Sequence, residues 1–551
     1  MISKHKISIA GLLLGTLFFA FSLTPSLLPR TNIMQGLISG FAFTLGYGLG
    51  VLSRWLWACF ELPIPNKRIQ KIITYITGSI CLLTVIIFLW QATGWQNSLL
   101  TLMGLESSAI MRPLIIGLIA AGIFLILLFL ARLFRWTFRY LSDQLHRIIP
   151  RHVSYGFGLL AAVIIFGLAF NGVLPSLILR GADASYKQWD RQIQPDLEQP
   201  TDPMKTGSQA SLLNWDEMGH YGREFVVNAP DTDDLKQFTD QPVKKPIRVY
   251  AGMRAGRFKE RAKLALQELK RVGAFERSVM VLNTPTGSGW VDPAAIQPIE
   301  YLYRGDIATV SAQYSHLPSA LSLIFEGEYG EEMAQALFQE VYGYWSGLPE
   351  ADRPKLYLQG LSLGALNSDR SFDLFDIIDD PFHGVLWSGP PFRSETWRRI
   401  TAQRKPGSPA WLPRFRDDAV VRFANQNGGL EQGESPWGDF RIAYLQYASD
   451  PIVFFDPRIF WHEPEWMRQP RGFDVSQNLN WYPMVTMVQL AADMVAGTGA
   501  PVGYGHEYAA TDYLQSWIQL AEPPGWSREE LERLQAFFAE RDKRKTQSKE
   551  L

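Results

Sequence analysis

The feature that most constrains this chain is a series of five long apolar segments within its first 180 residues. Each is about 20 residues long, enough for a helix to cross roughly 30 Å of hydrocarbon. Five such segments in succession predict a membrane domain. The first could instead be a signal peptide, although no small-residue cleavage pattern follows it. The segments are residues 7–28, 33–53, 72–91, 113–133 and 153–174.

Positive charges between these segments predict how the chain crosses the membrane, because lysine and arginine concentrate on the cytoplasmic side. They cluster before the first segment, after the second and after the fourth. Five spans therefore predict a multi-pass protein with its N-terminus inside and its C-terminal part outside. One span more or fewer would reverse that side. The residues are Lys4, Lys6, Arg54, Lys67, Arg68, Lys71, Arg132, Arg135, Arg139, Arg147 and Arg151.

The second apolar segment carries two pairs of glycines at helical spacing. Gly36 and Gly40 form the first pair, and Gly46 and Gly50 form the second. Small residues four positions apart let membrane helices approach closely. The pattern predicts either a packing interface or a homo-oligomer through these helices, and glycine is also common in membrane helices without either role.

Charge and cysteine content exclude several classes of function. The formal net charge of -1 lacks the basic excess that nucleic-acid binding requires. The two cysteines, Cys59 and Cys81, both lie in the apolar region. The C-terminal part therefore has no disulfide, cysteine nucleophile or cysteine-bound metal. We expect neither a cofactor nor a metal.

Beyond the membrane domain, predicted as residues 1–180, the composition changes to that of a soluble enzyme. Residues 181–245 are polar and predict a linker. In residues 246–525, short apolar runs alternate with helical patterns, which predicts a doubly wound, mostly parallel sheet. Residues 526–551 predict a C-terminal helix, over residues 528–541, with a charged tail at residues 543–551. The predicted strands are residues 247–251, 278–282, 308–313, 356–359, 385–387 and 442–447.

One of these predicted strands leads directly into a Gly-x-Ser-x-Gly motif at residues 360–364. The motif alone is weak, but a strand before it and a helix-compatible segment after it are the context that a nucleophilic serine needs. The sharp turn exposes the Ser362 hydroxyl. The amide of Leu363, at the start of the helix, would point at a developing oxyanion.

A serine hydroxyl is a poor nucleophile until a base removes its proton, and in this kind of site an acid and then a histidine follow the serine along the chain. Three histidines follow Ser362. His506 lies in a glycine-rich loop near the end of the domain and is favoured over His462, whereas His383 precedes the next strand too closely. His506 could also simply cap its loop.

The acid that orients the histidine should follow a late strand. Asp450 directly follows the apolar run at residues 441–449 and is the favoured candidate. Asp-Pro is also a common way to open a turn. Asp474 and Asp493 are the competing candidates.

Two loops complete the prediction. The loop at residues 283–290 follows an early strand, so the amides of Thr286 or Gly287 could supply a second oxyanion donor. A plain turn is an equally good interpretation of this loop. Residues 392–440 are polar and contain several aromatic side chains, which predicts a cap over the site. Most of these aromatic residues could equally pack in the core.

These stretches together resemble a bacterial family of membrane-anchored α/β-hydrolases with a multi-helix N-terminal domain. The resemblance covers nearly the whole chain and implies the α/β-hydrolase fold, a triad of Ser362, Asp450 and His506, and a location in the bacterial inner or plasma membrane. Leu361 stands where the family has glutamate, a position outside the triad. The stretches are residues 22–30, 211–215, 222–223, 284–290, 313–318, 360–364, 386–391, 444–451 and 503–506.

The sequence therefore predicts a serine esterase or lipase-like enzyme that cleaves a membrane lipid or another lipophilic ester. Two alternatives remain at this point. The same triad could transfer the acyl group to an acceptor other than water, or the soluble domain could be a non-catalytic scaffold for the membrane bundle.

Overall fold

The computed structural model describes residues 8–63, 66–107 and 110–550, which form two compact units. The first unit comprises the described residues up to Arg180 together with residues 455–497. The second comprises residues 181–454 and the described residues from Thr498 onward. The chain therefore leaves the second unit after Phe454 and returns to it at Thr498.

The N-terminal unit consists mainly of long apolar helices. Four described helices are long and apolar enough to cross a membrane, not five. The first predicted span contains a shorter apolar helix of 14 residues, about 21 Å long at 1.5 Å per residue, so five spans stay a prediction. The helices are α1 (Ile9–Ser22), α2 (Asn32–Cys59), α3 (Lys67–Leu102), α4 (Pro113–Leu145) and α5 (Arg151–Gly167).

Apolar side chains cover the outer surface of these helices. In the most apolar stretch of α3, no residue is buried. Trp90 and Leu114 are more than four-fifths exposed. Exposed apolar area of this extent is unfavourable in water and marks a surface that another apolar phase covers. It is compatible with association of the four helices with a membrane.

The two glycine pairs of α2 pack against helices of the same chain. A Cβ on Gly36 or Gly40 would lie 2.7 Å from the Cβ of Ile119 or Ile123 in α4. On the other pair, Gly46 and Gly50, it would collide with backbone carbonyls of α1. The glycines therefore allow close helix packing within this unit. The predicted homo-oligomer stays a prediction.

A buried polar network fixes residues 455–497 within this unit. The Arg30 guanidinium lies 3.2 Å from the Asp493 carboxylate, and both side chains are 1% exposed. Gln489 donates to the carbonyls of Ser22 and Thr24, at the end of α1. The Ser22 carbonyl, which lacks a donor within its own helix, also accepts from Gln35 at 2.9 Å, so the inserted segment joins a polar network at the end of α1.

The second unit is built on a seven-stranded sheet in which every pair of neighbouring strands is parallel. The strand order is β1-β3-β2-β4-β5-β7-β6. Most strands are buried throughout because helices cover both faces. This confirms the predicted fold class. The strands are β1 (Ile247–Ala251), β2 (Val279–Thr284), β3 (Ile307–Ala312), β4 (Lys355–Leu361), β5 (Gly384–Ser388), β6 (Val421–Ala424) and β7 (Arg441–Leu445).

The helices of the second unit and of the inserted segment follow the predicted alternation. One further helix, α6, continues beyond residue 180, and the predicted linker contains two short helices. The helices are α6 (Leu174–Arg191), α7 (His220–Val227), α8 (Thr232–Lys236), α9 (Phe258–Arg271), α10 (Pro293–Leu302), α11 (Ser319–Phe325), α12 (Tyr329–Ser346), α13 (Leu363–Asp369), α14 (Leu374–Ile377), α15 (Glu395–Ala402), α16 (Pro451–Phe454), α17 (Val485–Ala496), α18 (Ala510–Ala521) and α19 (Arg528–Glu550).

The stretch predicted as a cap contributes to the sheet itself. Within residues 392–440, β6 pairs with β7 at the sheet edge. Part of the stretch, mainly within residues 405–414 and 429–434, lines a cavity of about 390 Å³ together with Arg422 and Phe423 of β6. The predicted cap is therefore in part an edge strand with its flanking loops.

Candidate active site

The serine of the Gly-x-Ser-x-Gly motif occupies a sharp turn between a strand and a helix. β4 ends at Leu361 and α13 begins at Leu363, so Ser362 alone connects them. Its backbone has φ 58° and ψ -122°, a conformation that is strained for a residue with a side chain. Strain of this kind persists only where the surrounding structure imposes it, and it is common at functional sites.

The two glycines of the motif permit this turn through close approach. A Cβ on Gly360 would collide with the backbone of Gly364, and a Cβ on Gly364 would collide with the carbonyl of Thr284. The start of α13 therefore lies directly against the end of β2. The amide of Leu363 is in the first turn of α13, where it has no acceptor within its own helix.

A buried aspartate and histidine form a second part of the site. The Asp450 carboxylate, after the end of β7, is fully buried and lies 2.7 Å from Nδ1 of His506. The same carboxylate oxygen accepts a hydrogen bond from the Tyr508 hydroxyl at 2.7 Å, and its other oxygen accepts from the amide of Ile452 at 2.8 Å. These three bonds fix the position of the carboxylate.

Residues at the end of β5 contact both Ser362 and His506. The amide of Ser362 donates to the Ser388 carbonyl at 2.9 Å. The next residue, Gly389, lies against the imidazole, since a Cβ there would be 2.6 Å from Cε1 of His506. Two consecutive residues of one strand end therefore touch the backbone of Ser362 and the ring of His506. Ser362 and Asp450 follow the carboxyl ends of the parallel strands β4 and β7, which meet at one edge of the sheet, and the hydrogen bond to Asp450 holds His506 there.

The free ring nitrogen of His506 is suited to accept a proton. Nε2 is buried and has no hydrogen-bond partner among the described residues. Burial of the imidazole lowers its pKa, but the charge and hydrogen bond of Asp450 raise it more, so the pKa of His506 lies above its ordinary value. Ser362 and His506 are each 6% exposed. Hydrogen bonds between a serine and its base often shorten only when substrate is bound.

The predicted second oxyanion donors already have acceptors in this structure. The amide of Thr286 donates to the Trp290 carbonyl at 3.0 Å, and the amide of Gly287 donates to the Ser319 hydroxyl at 3.2 Å. The loop therefore forms a closed turn, which was the alternative interpretation. Thr286 and Gly287 stay predictions that require these hydrogen bonds to exchange.

The structure places the competing candidates away from this edge or in other roles. His383 lies before β5, at the opposite end of the sheet, where its Nδ1 accepts from the amide of Leu356. Burial lowers the pKa of His383 to about 4. His462 is exposed within the first unit. Asp474 also belongs to that unit, and Asp493 is paired there with Arg30.

Sequence reasoning missed two residues of the site, Tyr508 and Gly389. Tyr508 lies two positions after His506, and its hydroxyl could have been suspected as a partner for the acid. Gly389 lies in the segment Ser388-Gly-Pro-Pro391. Its Gly-Pro pair indicates a turn, where a glycine lets the backbone lie close to another group.

Among the described residues, we find no cluster of histidine, cysteine or acidic side chains able to hold a metal ion. The chemistry of the serine, histidine and aspartate found here requires none.

Comparison with known proteins agrees with this fold. A model of an alpha/beta-hydrolase family matches residues 247–534, and a model of the N-terminal region of that family matches residues 23–230. No curated protein and no solved structure matches the chain. The first match includes more than half of the chain together with the serine turn, the aspartate and the histidine. The chain belongs to the alpha/beta-hydrolase family.

Proposed function

We propose that this protein is a serine hydrolase that cleaves esters through an acyl-enzyme on Ser362. The observation that carries the proposal is the buried 2.7 Å hydrogen bond between Asp450 and His506, at the sheet edge that also holds the strained Ser362. A buried aspartate that orients a histidine, next to a serine on such a turn, is the arrangement that activates a hydroxyl for acyl transfer.

In the proposed reaction, Ser362 Oγ attacks the ester carbonyl while Nε2 of His506 takes the hydroxyl proton. The tetrahedral intermediate collapses, its C–O bond breaks, and His506 returns the proton to the departing alcohol. Water then attacks the acyl-enzyme with His506 again as the base, which releases the acid and restores Ser362. Asp450 orients the imidazole and stabilises its charged form, and it keeps its own negative charge throughout.

The amide of Leu363 is the best-supported donor to the oxyanion because it begins α13 and has no acceptor within that helix. A second donor from Thr286 or Gly287 would require the turn at residues 283–290 to open. Substrate binding could drive this exchange, since the new acceptor carries more negative charge than the Trp290 carbonyl or the Ser319 hydroxyl.

We propose a lipophilic ester, such as a membrane lipid, as the substrate, and a multi-pass location in a bacterial cell membrane. The four long apolar helices support the location. The second unit carries the proposed triad and is called the catalytic unit from this point. The prediction that it is extracytoplasmic was made for five spans. If α2 to α5 are the four spans, the N-terminus and the catalytic unit share one side, and the positive clusters after α2 and α4 both lie on the other. Since such clusters favour the cytoplasmic side, we propose an extracytoplasmic catalytic unit in this case too.

The test is turnover of p-nitrophenyl esters of increasing chain length by the detergent-solubilised protein. We expect the wild type to release p-nitrophenol, and Ser362→Ala and His506→Ala to lose at least about 10³-fold of that rate. His462→Ala is the matched control and should keep full activity because His462 is exposed outside the catalytic unit. A Ser362→Ala protein with wild-type activity would refute the proposal.

Added alcohols distinguish hydrolysis from acyl transfer in the same assay. Hydrolysis yields the free acid as the dominant product, whereas an acyltransferase yields the new ester. If the new ester were the dominant product, the protein would be an acyltransferase that uses the same triad, not a hydrolase.

A further inference from the structure

The C-terminal helix continues through the segment that the sequence predicted as a charged tail. The predicted helix ends at residue 541, but α19 extends from Arg528 to Glu550. Its last turns contact the loop that carries His506. These contacts lie within the catalytic unit and have no part in the reaction proposed above.

Two contacts hold the loop on either side of His506. Before the histidine, the amide of Val502 donates to the Thr546 hydroxyl at 3.2 Å. After it, the Glu507 carboxylate lies 3.3 Å from Nζ of Lys545. Neighbouring residues of one helix therefore bind the loop four positions before His506 and one position after it.

A third contact fixes the point where the loop ends. The Asp542 carboxylate accepts hydrogen bonds from the amides of Ala510 and Thr511, both at 3.1 Å. These are the first two residues of α18, whose early amides have no acceptor within the helix. Asp542 therefore caps α18 from another helix and sets where the His506 loop joins it.

The loop needs support of this kind because its own backbone is permissive. Gly503 and Gly505 have φ angles of +89° and +58°, which glycine adopts readily. Two bonds from the rest of the catalytic unit also hold the loop: Gly505 donates to the Ser449 hydroxyl at 2.9 Å, and Gln426 donates to the Gly503 carbonyl at 2.8 Å. The contacts from α19 add to these two bonds.

Charge complements the geometry at Lys545. Its ammonium group faces three carboxylates, those of Asp292, Glu507 and Asp542. Burial raises the pKa of Asp292 to about 6. Two of these carboxylates, Asp292 and Glu507, also act on the imidazole of His506. Lys545 therefore neutralises part of the negative charge behind the histidine.

We propose that residues 542–546 of α19 form a clip that positions the His506 loop, with Lys545 and Thr546 as positioning residues for the proposed base. The inference rests on the proposed function, because it assigns a role in setting the geometry of His506. The clip touches neither the substrate nor the reacting atoms.

The test compares pairs of variants in the full-length, detergent-solubilised protein. Thr546→Val removes the acceptor hydroxyl and Thr546→Ser retains it. Lys545→Met removes the charge and Lys545→Arg retains it. Arg544→Ala is the matched control because Arg544 lies on the same helix, is itself exposed and pairs with the exposed Glu540.

The measurement is the second-order rate of phosphonylation by a fluorophosphonate probe, together with kcat and KM for an ester and the thermal unfolding midpoint. We expect Thr546→Val and Lys545→Met to lower the rate and kcat by about 10- to 100-fold, with KM little changed, because a small displacement of a catalytic group costs this much. The conservative variants and Arg544→Ala should stay near the wild-type rate.

The other outcomes overturn the proposal. Wild-type rates in both disruptive variants would show that the clip does not position His506. Equal losses in Thr546→Ser, Lys545→Arg or Arg544→Ala would show a general effect of the helix. If one disruptive variant fails to fold, the other decides. A wild type whose labelling does not depend on His506 refutes the proposed function instead, so the two failures are distinguishable.

Discussion

A single added methyl group at Gly389 tests the geometry around His506. A Cβ at this position would lie 2.6 Å from Cε1 and 3.0 Å from Nδ1 of the imidazole, and 2.9 Å from the Tyr508 ring. Neither ring can rotate away freely, because the Asp450 carboxylate holds both through 2.7 Å hydrogen bonds. The Gly389→Ala variant must therefore displace the imidazole.

The size of that displacement follows from ordinary contact distances. Moving Cε1 from 2.6 Å to the 3.4 Å limit of normal contact takes roughly 0.8 Å. A misplacement near 1 Å lowers the rate by about 100-fold. The backbone of Gly389 has φ +52°, so alanine also adds about 1 kcal/mol of strain.

The assay is the rate of fluorophosphonate labelling, measured beside thermal unfolding. Gly407→Ala is the control for strain, because Gly407 has φ +87° and no atom lies within 4 Å of its added Cβ. We expect both variants to lose similar stability and only Gly389→Ala to label about 100-fold more slowly. Labelling of Gly389→Ala at the rate of Gly407→Ala would refute the position assigned to the imidazole.

Three further predictions concern the acid, the base and the N-terminal unit. Asp450→Asn should lower ester turnover by about 10³- to 10⁴-fold with the fold retained, as circular dichroism would check. Since the pKa of His506 is raised and only the neutral imidazole accepts a proton, the labelling rate should rise with pH, with its midpoint above about 6.5; a midpoint below that value would contradict the role of Asp450. Asp493→Ala leaves the buried Arg30 unpaired and should destabilise the N-terminal unit by about 3–5 kcal/mol, whereas Arg30→Met combined with Asp493→Leu should recover most of that loss in thermal unfolding.

The catalytic unit could largely be predicted from the sequence because its signals are local. Six of the seven strands coincide with short apolar runs, and β1 begins and ends where predicted. The strand, turn and helix around Ser362 occupy consecutive residues. Asp450 and His506, favoured by their order along the chain, lie within hydrogen-bond distance of each other.

β6 is the one strand that the sequence did not predict, because it depends on contacts with other loops. β6 has only four residues. The charged Arg422 within it is typical of an exposed position and hides the strand pattern. In the structure, the Arg422 guanidinium is buried because it donates to the carbonyls of Asp418, Leu430 and Ser435. Those partners are backbone atoms of neighbouring loops, which no side-chain pattern reveals.

The placement of residues 455–497 depends on contacts that are distant in sequence. Asp493 pairs with Arg30, 463 positions earlier. Residues 455–497 lie in sequence between two parts of the second unit, so their position along the chain gives no sign that they pack with the N-terminal helices. The first predicted span, residues 7–28, is longer than α1 for a local reason: residues 23–28 are apolar enough to extend the run, but α1 ends at Ser22, before the prolines at positions 25 and 29.

The measurement that tests the central claim most directly is the site of covalent labelling. The detergent-solubilised wild type is treated with a fluorophosphonate, digested and analysed by tandem mass spectrometry. The account predicts one adduct, on Ser362, that is absent from Ser362→Ala and strongly reduced in His506→Ala. An adduct on another serine, or a folded wild type that stays unlabelled, would contradict the assignment of Ser362 as an activated nucleophile.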